Sequence, residues 1–314
     1  MSLIVAVDIG GTHIRAATYE PNSTSPTHHQ RNKSKALEPG VFDRLVQTIE
    51  AVWPKKDEVA GIGLASPGPL DPHQGVILST PNIPEWKDFP LAAKLNKHFN
   101  VPVHIDNDAN LAALGEWKYG AGKGHNDVLY LTISTGIGGG VITNGHLLQG
   151  YHGMAAELGH VTIDPDGPLC GCGHPGHLEA FASGPAIARY VNEQLAAGRT
   201  SSLHADPKLS AQQVAAAALE GDELARAAFA RAGEYLGVAV SNYLHIFDPS
   251  VVIFGGGVSQ VGDLLFKPFE ASLKKRVIHP RYLENLEFTK AALGDDAGLL
   301  GALALARLSE EDPP

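Results

Sequence analysis

Cysteine is almost missing from this chain. Only Cys170 and Cys172 occur among 314 residues. A pair split by one residue makes no disulfide framework, so a reducing compartment is the simpler reading. No stretch approaches the ~18 uninterrupted apolar residues that a membrane span requires. The start, Met1-Ser2-Leu3-Ile4-Val5-Ala6-Val7-Asp8, has no basic residue ahead of its apolar run and meets Asp8 early, which excludes a secretory signal. Cations are in deficit: Lys+Arg 24 against Asp+Glu 34 give a net charge of −10, which argues against a general binder of nucleic acid or anionic membrane. A localisation in the cytoplasm is expected.

What is present is a globular composition, 44% hydrophobic and 18% charged, in a chain long enough for two domains. Gly accounts for 35 residues, well above the usual ~7%, and the glycines cluster as if backbone approached a ligand. A strand Leu3–Val7 runs into Asp8-Ile9-Gly10-Gly11-Thr12, and a second strand follows from Ile14 to Tyr19. Residues 20–40 are polar and read as a loop. Phe42, Leu45, Val46, Ile49, Val52 and Trp53 mark one helix face. Val59–Ala65 reads as a strand ending in Ser66-Pro67-Gly68-Pro69. Val101–Ile105 is another strand, then Asp106-Asn107-Asp108-Ala109-Asn110 and a helix from Leu111 to about Tyr119. After a Gly-rich segment over 120–126, the opening recurs in outline: strand Asp127–Ile133, turn Ser134–Gly140, strand from Val141. Ser210–Gln213 is a capping box, Asp222 to Phe247 a helix ended by Asp248-Pro249, Val251–Phe254 a strand, and Gly298–Leu308 the last helix. Strands alternating with helices predict an α/β fold.

The chemistry-bearing residues fall in four places. Asp8 with Gly10, Gly11 and Thr12 is either an ordinary β-turn or a phosphate-facing turn with an acid for magnesium. Thr135 and Gly136 open a second such turn, and Gly255, Gly256 and Gly257 are a third close-approach site, suited to a nucleoside or to a plain helix entry. Neither the dinucleotide fingerprint nor the P-loop spacing is met. Asp106, Asn107 and Asp108 follow a strand, where a carboxylate can take a proton from an attacking hydroxyl or can simply cap the next helix. His160, Cys170, Cys172 and His177 are a candidate set for structural zinc, with His152 and His174 as rival ligands, against the alternative of a free-thiol loop. Glu157 and Glu179 flank them.

These segments together resemble the ROK family (repressors, open reading frames, sugar kinases). The resemblance rests on Asp8–Thr12, Asn107-Asp108-Ala109, Glu157-x-Gly159-His160, the run Cys170-Gly171-Cys172-Gly173-x-x-Gly176-His177-x-Glu179, and Gly294–Gly298, and it covers Val5 to Ala306. It implies an actin-like, ribonuclease-H-like ATPase fold with two α/β domains around a cleft. The expected domains are 1–119 with the helix 297–310, and 120–296. It implies a sugar kinase using ATP and Mg2+, with glucose the leading substrate. Asp108 would be the general base acting on the C6 hydroxyl. Gly68, Asn107, Glu157, His160 and Glu179 would bind the sugar, and Asp8, Gly10, Gly11, Thr12, Thr135, Gly136 and Gly255–Gly257 the nucleotide. Zn2+ would be structural.

Two positions depart from the family pattern: His177 stands where a third Cys is usual, and His13 where Lys is common. N-acetylmannosamine, N-acetylglucosamine or fructose are the alternative substrates. A sugar-sensing repressor is the alternative of another class, disfavoured because the first strand begins at Leu3 without a preceding DNA-binding segment. A homodimer or homotetramer is expected.

Overall fold

The strand–turn–strand outline read twice in the sequence becomes two five-stranded sheets. The computed structural model describes residues 2–34, 40–55, 58–80 and 83–311. The first sheet is formed by β1 (Leu3–Ile9), β2 (His13–Tyr19), β3 (Pro26–Lys33), β4 (Val59–Ser66) and β7 (Val103–Asn107), in the order β3-β2-β1-β4-β7. A hairpin of β5 (Leu70–Asp71) and β6 (Val76–Ile77) interrupts the sequence before β7. The second sheet is formed by β8 (Val128–Ile133), β9 (Ile137–Thr143), β10 (His146–Leu147), β11 (Val251–Gly255) and β12 (Glu287–Lys290), in the order β10-β9-β8-β11-β12. Numbered within each sheet, both follow the same arrangement, 3-2-1-4-5. The fourth and fifth strands pair parallel in each.

The helices are α1 (Val41–Glu50), α2 (Leu91–Phe99), α3 (Asp108–Tyr119), α4 (Glu179–Ala182), α5 (Gly184–Ala196), α6 (Ala211–Leu219), α7 (Glu223–Phe247), α8 (Asp263–Lys274) and α9 (Ala297–Glu311). The chain divides into two compact units. One holds residues 1–125, 140–156 and 291–314, the other 126–139 and 157–290.

In the first unit β1 is buried from Ile4 to Ile9, and α1 lays Leu45, Val46 and Ile49 against the core. Each such aliphatic side chain contributes about 1.5–3 kcal/mol by leaving water. The C-terminal helix α9 lies flat on β4, because a Cβ at Gly63 would stand 1.9 Å from the Ala302 carbonyl oxygen. Gly301 lets the same helix touch α3 backbone. Glu116 on α3 is fully buried, and its carboxylate accepts the N–H groups of Ala121 (2.8 Å), Ala292 (3.1 Å) and Leu293 (2.8 Å). In the second unit the long helix α7 carries the core, and Gly233 and Gly237 admit α8 against it. Asp222 caps α7 by accepting from Ala225 N, and Ser210 with Gln213 forms the expected capping box.

The segment expected as a loop over 20–40 is corrected by β3, which occupies Pro26–Lys33. Residues 35–39 of that segment lie outside the described ones. Its residues are polar because it is an edge strand bonded to β2 alone. The helix expected from Leu111 starts at Asp108, which changes what the preceding acids do.

Candidate active site

The first glycine turn joins β1 to β2. The N–H of Gly10 donates to the His13 carbonyl (2.8 Å), while Ser34 donates through Oγ to the Gly10 carbonyl (2.6 Å) and through N to that of Thr12 (2.8 Å). Gly11 and Thr12 are exposed, and no hydrogen bond within the turn uses their N–H groups. Asp8 closes β1 beside this turn. Burial pushes its carboxyl above the ordinary carboxylate range, and the Arg15 guanidinium, bonded to Oδ2, works against that. Gly298 brings the start of α9 against it: a Cβ there would stand 3.0 Å from Asp8 Cγ.

At the end of β7 the three candidate polar residues take separate tasks. Asp106 is fully buried and accepts from Asn107 N (2.6 Å), Asn110 Nδ2 (3.0 Å) and Gln149 Nε2 (2.6 Å). Burial pushes its carboxyl up, and these bonds only partly offset that. Asn107 is the N-cap of α3, its Oδ1 accepting from Ala109 N at 2.9 Å. Asp108 is the first helical residue and is exposed. Gly68 faces this segment, since a Cβ there would lie 3.1 Å from Asn107 Nδ2. Gln149, a partner of the buried Asp106, carried no signal in the sequence; the contact bridges 43 residues.

In the second unit Ser134 N donates to the Gly136 carbonyl (2.9 Å), closing the second turn. Beside it is a cavity of about 780 Å³, lined among others by Ser134, Thr135, Gly184, Ser210 and Gly257. Its size suits a nucleoside with phosphates. Of the three consecutive glycines only Gly257 lines it. Gly256 has φ +81° and a Cβ there would meet the Ile133 carbonyl oxygen at 2.3 Å, while Gly255 packs on Tyr130.

Glu157 and His160 flank a short turn over Leu158–His160, which Tyr243 of α7 holds by donating its hydroxyl to the Leu158 carbonyl. Glu179 opens α4, and its Oε2 accepts from Ile137 N at 2.9 Å.

The loop between His160 and Glu179 folds back on itself. Gly176 makes this possible, with φ +76° and no room for a Cβ beside the Asp164 carbonyl. His160, Cys170, Cys172 and His177 thereby place their ligand atoms within 4.8 Å of one another. Cys170 Sγ lies 3.7 Å from His160 Nδ1, and Cys172 Sγ lies 3.2 Å from His177 Nδ1. Neighbouring donors around tetrahedral zinc stand about 3.4–3.8 Å apart, from bond lengths of ~2.3 Å to sulfur and ~2.0–2.1 Å to nitrogen; the 3.7 Å pair falls in that span and the 3.2 Å pair just below it, and two thiols with two imidazoles are donors that suit that metal. Burial, then the neighbouring His160 and His174, hold His177 below its ordinary value, which favours the neutral form that a metal ligand needs. Burial pushes the Cys170 thiol up to about 11, a proton that coordination would displace. The cluster includes neither His152 nor His174 among the described residues.

The ROK family profile matches residues 4–309. A glucokinase from Thermotoga maritima is 36% identical over 310 residues, covering 97% of each chain. A xylose repressor from Bacillus spizizenii is 31% identical over 95% of this chain and 75% of its own. The crystal structure of a ROK family glucokinase from Streptomyces griseus, in complex with glucose and AMPPNP, superimposes with a TM-score of 0.78 at 34% identity, over 98% of this chain and 100% of that one. The fold is the actin-like, ribonuclease-H-like ATPase fold expected from the sequence. With sheet order, motif positions and full-length similarity in agreement, the chain belongs to the ROK family.

Proposed function

We propose that the protein is an ATP-dependent sugar kinase that phosphorylates glucose on its C6 hydroxyl. The observation that carries the residue assignment is the division of labour at the end of β7. Asp106 is sealed in the core and Asn107 caps α3, so Asp108 is the exposed carboxylate of the three. In this reading Asp108 accepts the hydroxyl proton as the sugar oxygen attacks the γ-phosphate. Asn107 donates through Nδ2, since its Oδ1 is engaged in the cap. Glu157, His160 and Glu179 bind sugar hydroxyls, and Gly68 gives the sugar close backbone approach.

The N–H groups of Gly11 and Thr12 face phosphate at the first turn, and Thr135 and Gly136 at the second, with the nucleoside in the cavity lined by Gly257. Asp8 Oδ1 would hold hydrated magnesium, which neutralises phosphate charge when bound. His160, Cys170, Cys172 and His177 would hold zinc, whose contribution is to fix the loop rather than to take part in the transfer. Similarity to glucokinases supports glucose and ATP. The assembly proposed is a homodimer or homotetramer.

A phosphorylation screen tests this: purified protein, ATP and magnesium against glucose, mannose, fructose, xylose, N-acetylglucosamine and N-acetylmannosamine. The expected result is transfer to glucose with the highest kcat/KM. Transfer to another sugar with none to glucose overturns the substrate, and no transfer to any overturns the kinase reading.

A further inference from the structure

The first glycine turn has no cation of its own, and the first one after it in sequence, Arg15, is taken up by Asp8. The next charges come from β3. Ser34, at the end of that strand, is bonded to the carbonyls of Gly10 and Thr12, which holds the strand end beside the turn. The β2–β3 register sets His13 opposite Lys33 and Arg15 opposite Arg31.

Arg31 Nη2 lies 3.0 Å from His13 Nδ1. A guanidinium has donors only, so this contact requires a lone pair on Nδ1 and places the imidazole proton on Nε2. The surroundings agree: burial, Arg31, Lys33 and Arg15 all disfavour a charged His13. Asp8, the acid on the packed neighbouring strand β1, is already paired with Arg15. Arg31 is exposed and makes no ion pair among the described residues, so its charge is available to an anion.

We propose that Arg31 and His13 form one composite anion subsite for the terminal phosphates of the nucleotide at the first glycine turn. Arg31 supplies the charge, and Nε2–H of His13 supplies a neutral, directed donor. The subsite rests on the kinase reading for the identity of its ligand. It makes an edge strand of otherwise unremarked polar sequence part of nucleotide recognition.

The test is calorimetry of ATP with magnesium on the full chain without sugar, together with KM for ATP and for glucose. It is run on the unsubstituted protein, Arg31→Ala, Arg31→Gln and the double substitution His13→Lys/Arg31→Gln. Arg31→Gln keeps a polar side chain with N–H donors, shorter than the original, and removes the charge. We expect the Kd and KM for ATP to rise about tenfold in both Arg31 variants, with the KM for glucose changed less than about twofold. The double substitution returns the charge from position 13 and brings ATP affinity back to within about threefold of the original. Unchanged ATP affinity in a natively folded Arg31→Gln protein overturns the proposal, and so does an equal rise in both KM values. A protein that binds ATP by calorimetry, loses that binding in Arg31→Gln and phosphorylates no sugar would overturn the kinase reading while upholding the subsite.

Discussion

Glu179 uses one carboxylate oxygen to hold the backbone N–H of Ile137, at 2.9 Å, and the other lies 3.4 Å from Cys170 Sγ. The acid beside the Cys/His cluster therefore also fixes the strand that leaves the second glycine turn. Removing it in Glu179→Ala leaves a buried N–H unpaired, which costs about 1–3 kcal/mol of unfolding free energy. Glu179→Gln keeps an acceptor for Ile137. We expect it to recover most of that stability in denaturant titration while glucose binding stays weakened at least about tenfold. Normal glucose affinity in Glu179→Gln would remove Glu179 from the sugar contacts.

For Asp108 the expected outcome is kinetic. Asp108→Asn keeps the shape and removes the basicity, and general-base help is worth roughly 10²–10⁴-fold. kcat falls by at least ~10²-fold, while directly measured glucose binding changes by less than about tenfold. Because Asn107 and not Asp108 is the cap of α3, the melting temperature stays close to that of the unsubstituted protein. Asp106→Asn behaves differently: it disturbs a buried carboxylate with three donors, so it lowers stability as well as rate.

Elemental analysis of protein prepared without added metal is expected to give one zinc per chain. Cys172→Ser lowers that occupancy and loosens the segment between His160 and Glu179, since binding energy at a closed zinc site is also folding energy. Glucose binding then weakens although no sugar contact was removed. Zinc near zero in the unsubstituted protein would reject the ligand set.

Asp222 predicts a pH dependence of stability. Burial pushes its carboxyl up, but the N–H groups of Ala225 and Ser202 and the hydroxyls of Ser201 and Ser202 outweigh this and hold it at about 2. A carboxyl depressed in the folded state stabilises above its unfolded value, ~3.9, and that stabilisation is lost as pH falls toward 2. Asp222→Ala is therefore expected to lower stability by about 1 kcal/mol at pH 7, the usual worth of a cap. The difference from the unsubstituted protein shrinks between pH ~4 and 2. A gap that stays constant across that range would show that the carboxylate's charge plays no part.

Much of this was legible in the sequence because the signals were local. The capping box of Ser210 and Gln213, the acid-then-glycine turn after β1 and the four metal-ligand candidates each lie within short segments. What escaped was set by distant neighbours. β3 has no apolar alternation because it is an edge strand, and α2 buries only Leu91 and Leu95 and has no side-chain cap. β12 is largely exposed at the other sheet's edge. At the site, which of Asp106, Asn107 and Asp108 is buried, which caps α3 and which is exposed depends on the start of α3 and on the distant Gln149 contact. Likewise, three consecutive glycines look alike in sequence, and it is the positive φ at Gly256 and the backbone of Ile133 beside it that call for glycine there.

The buried carboxylate of Glu116 binds backbone from residues 292 and 293, and α9 covers the sheet that begins at Leu3. On a ribosome this has an order built into it. β1 is made well before α9, the helix that covers its sheet, whereas the segment 157–290 is continuous in sequence. The sheet face that α9 covers stays open until that helix docks, and an open apolar face is the feature of partly folded chains that favours aggregation.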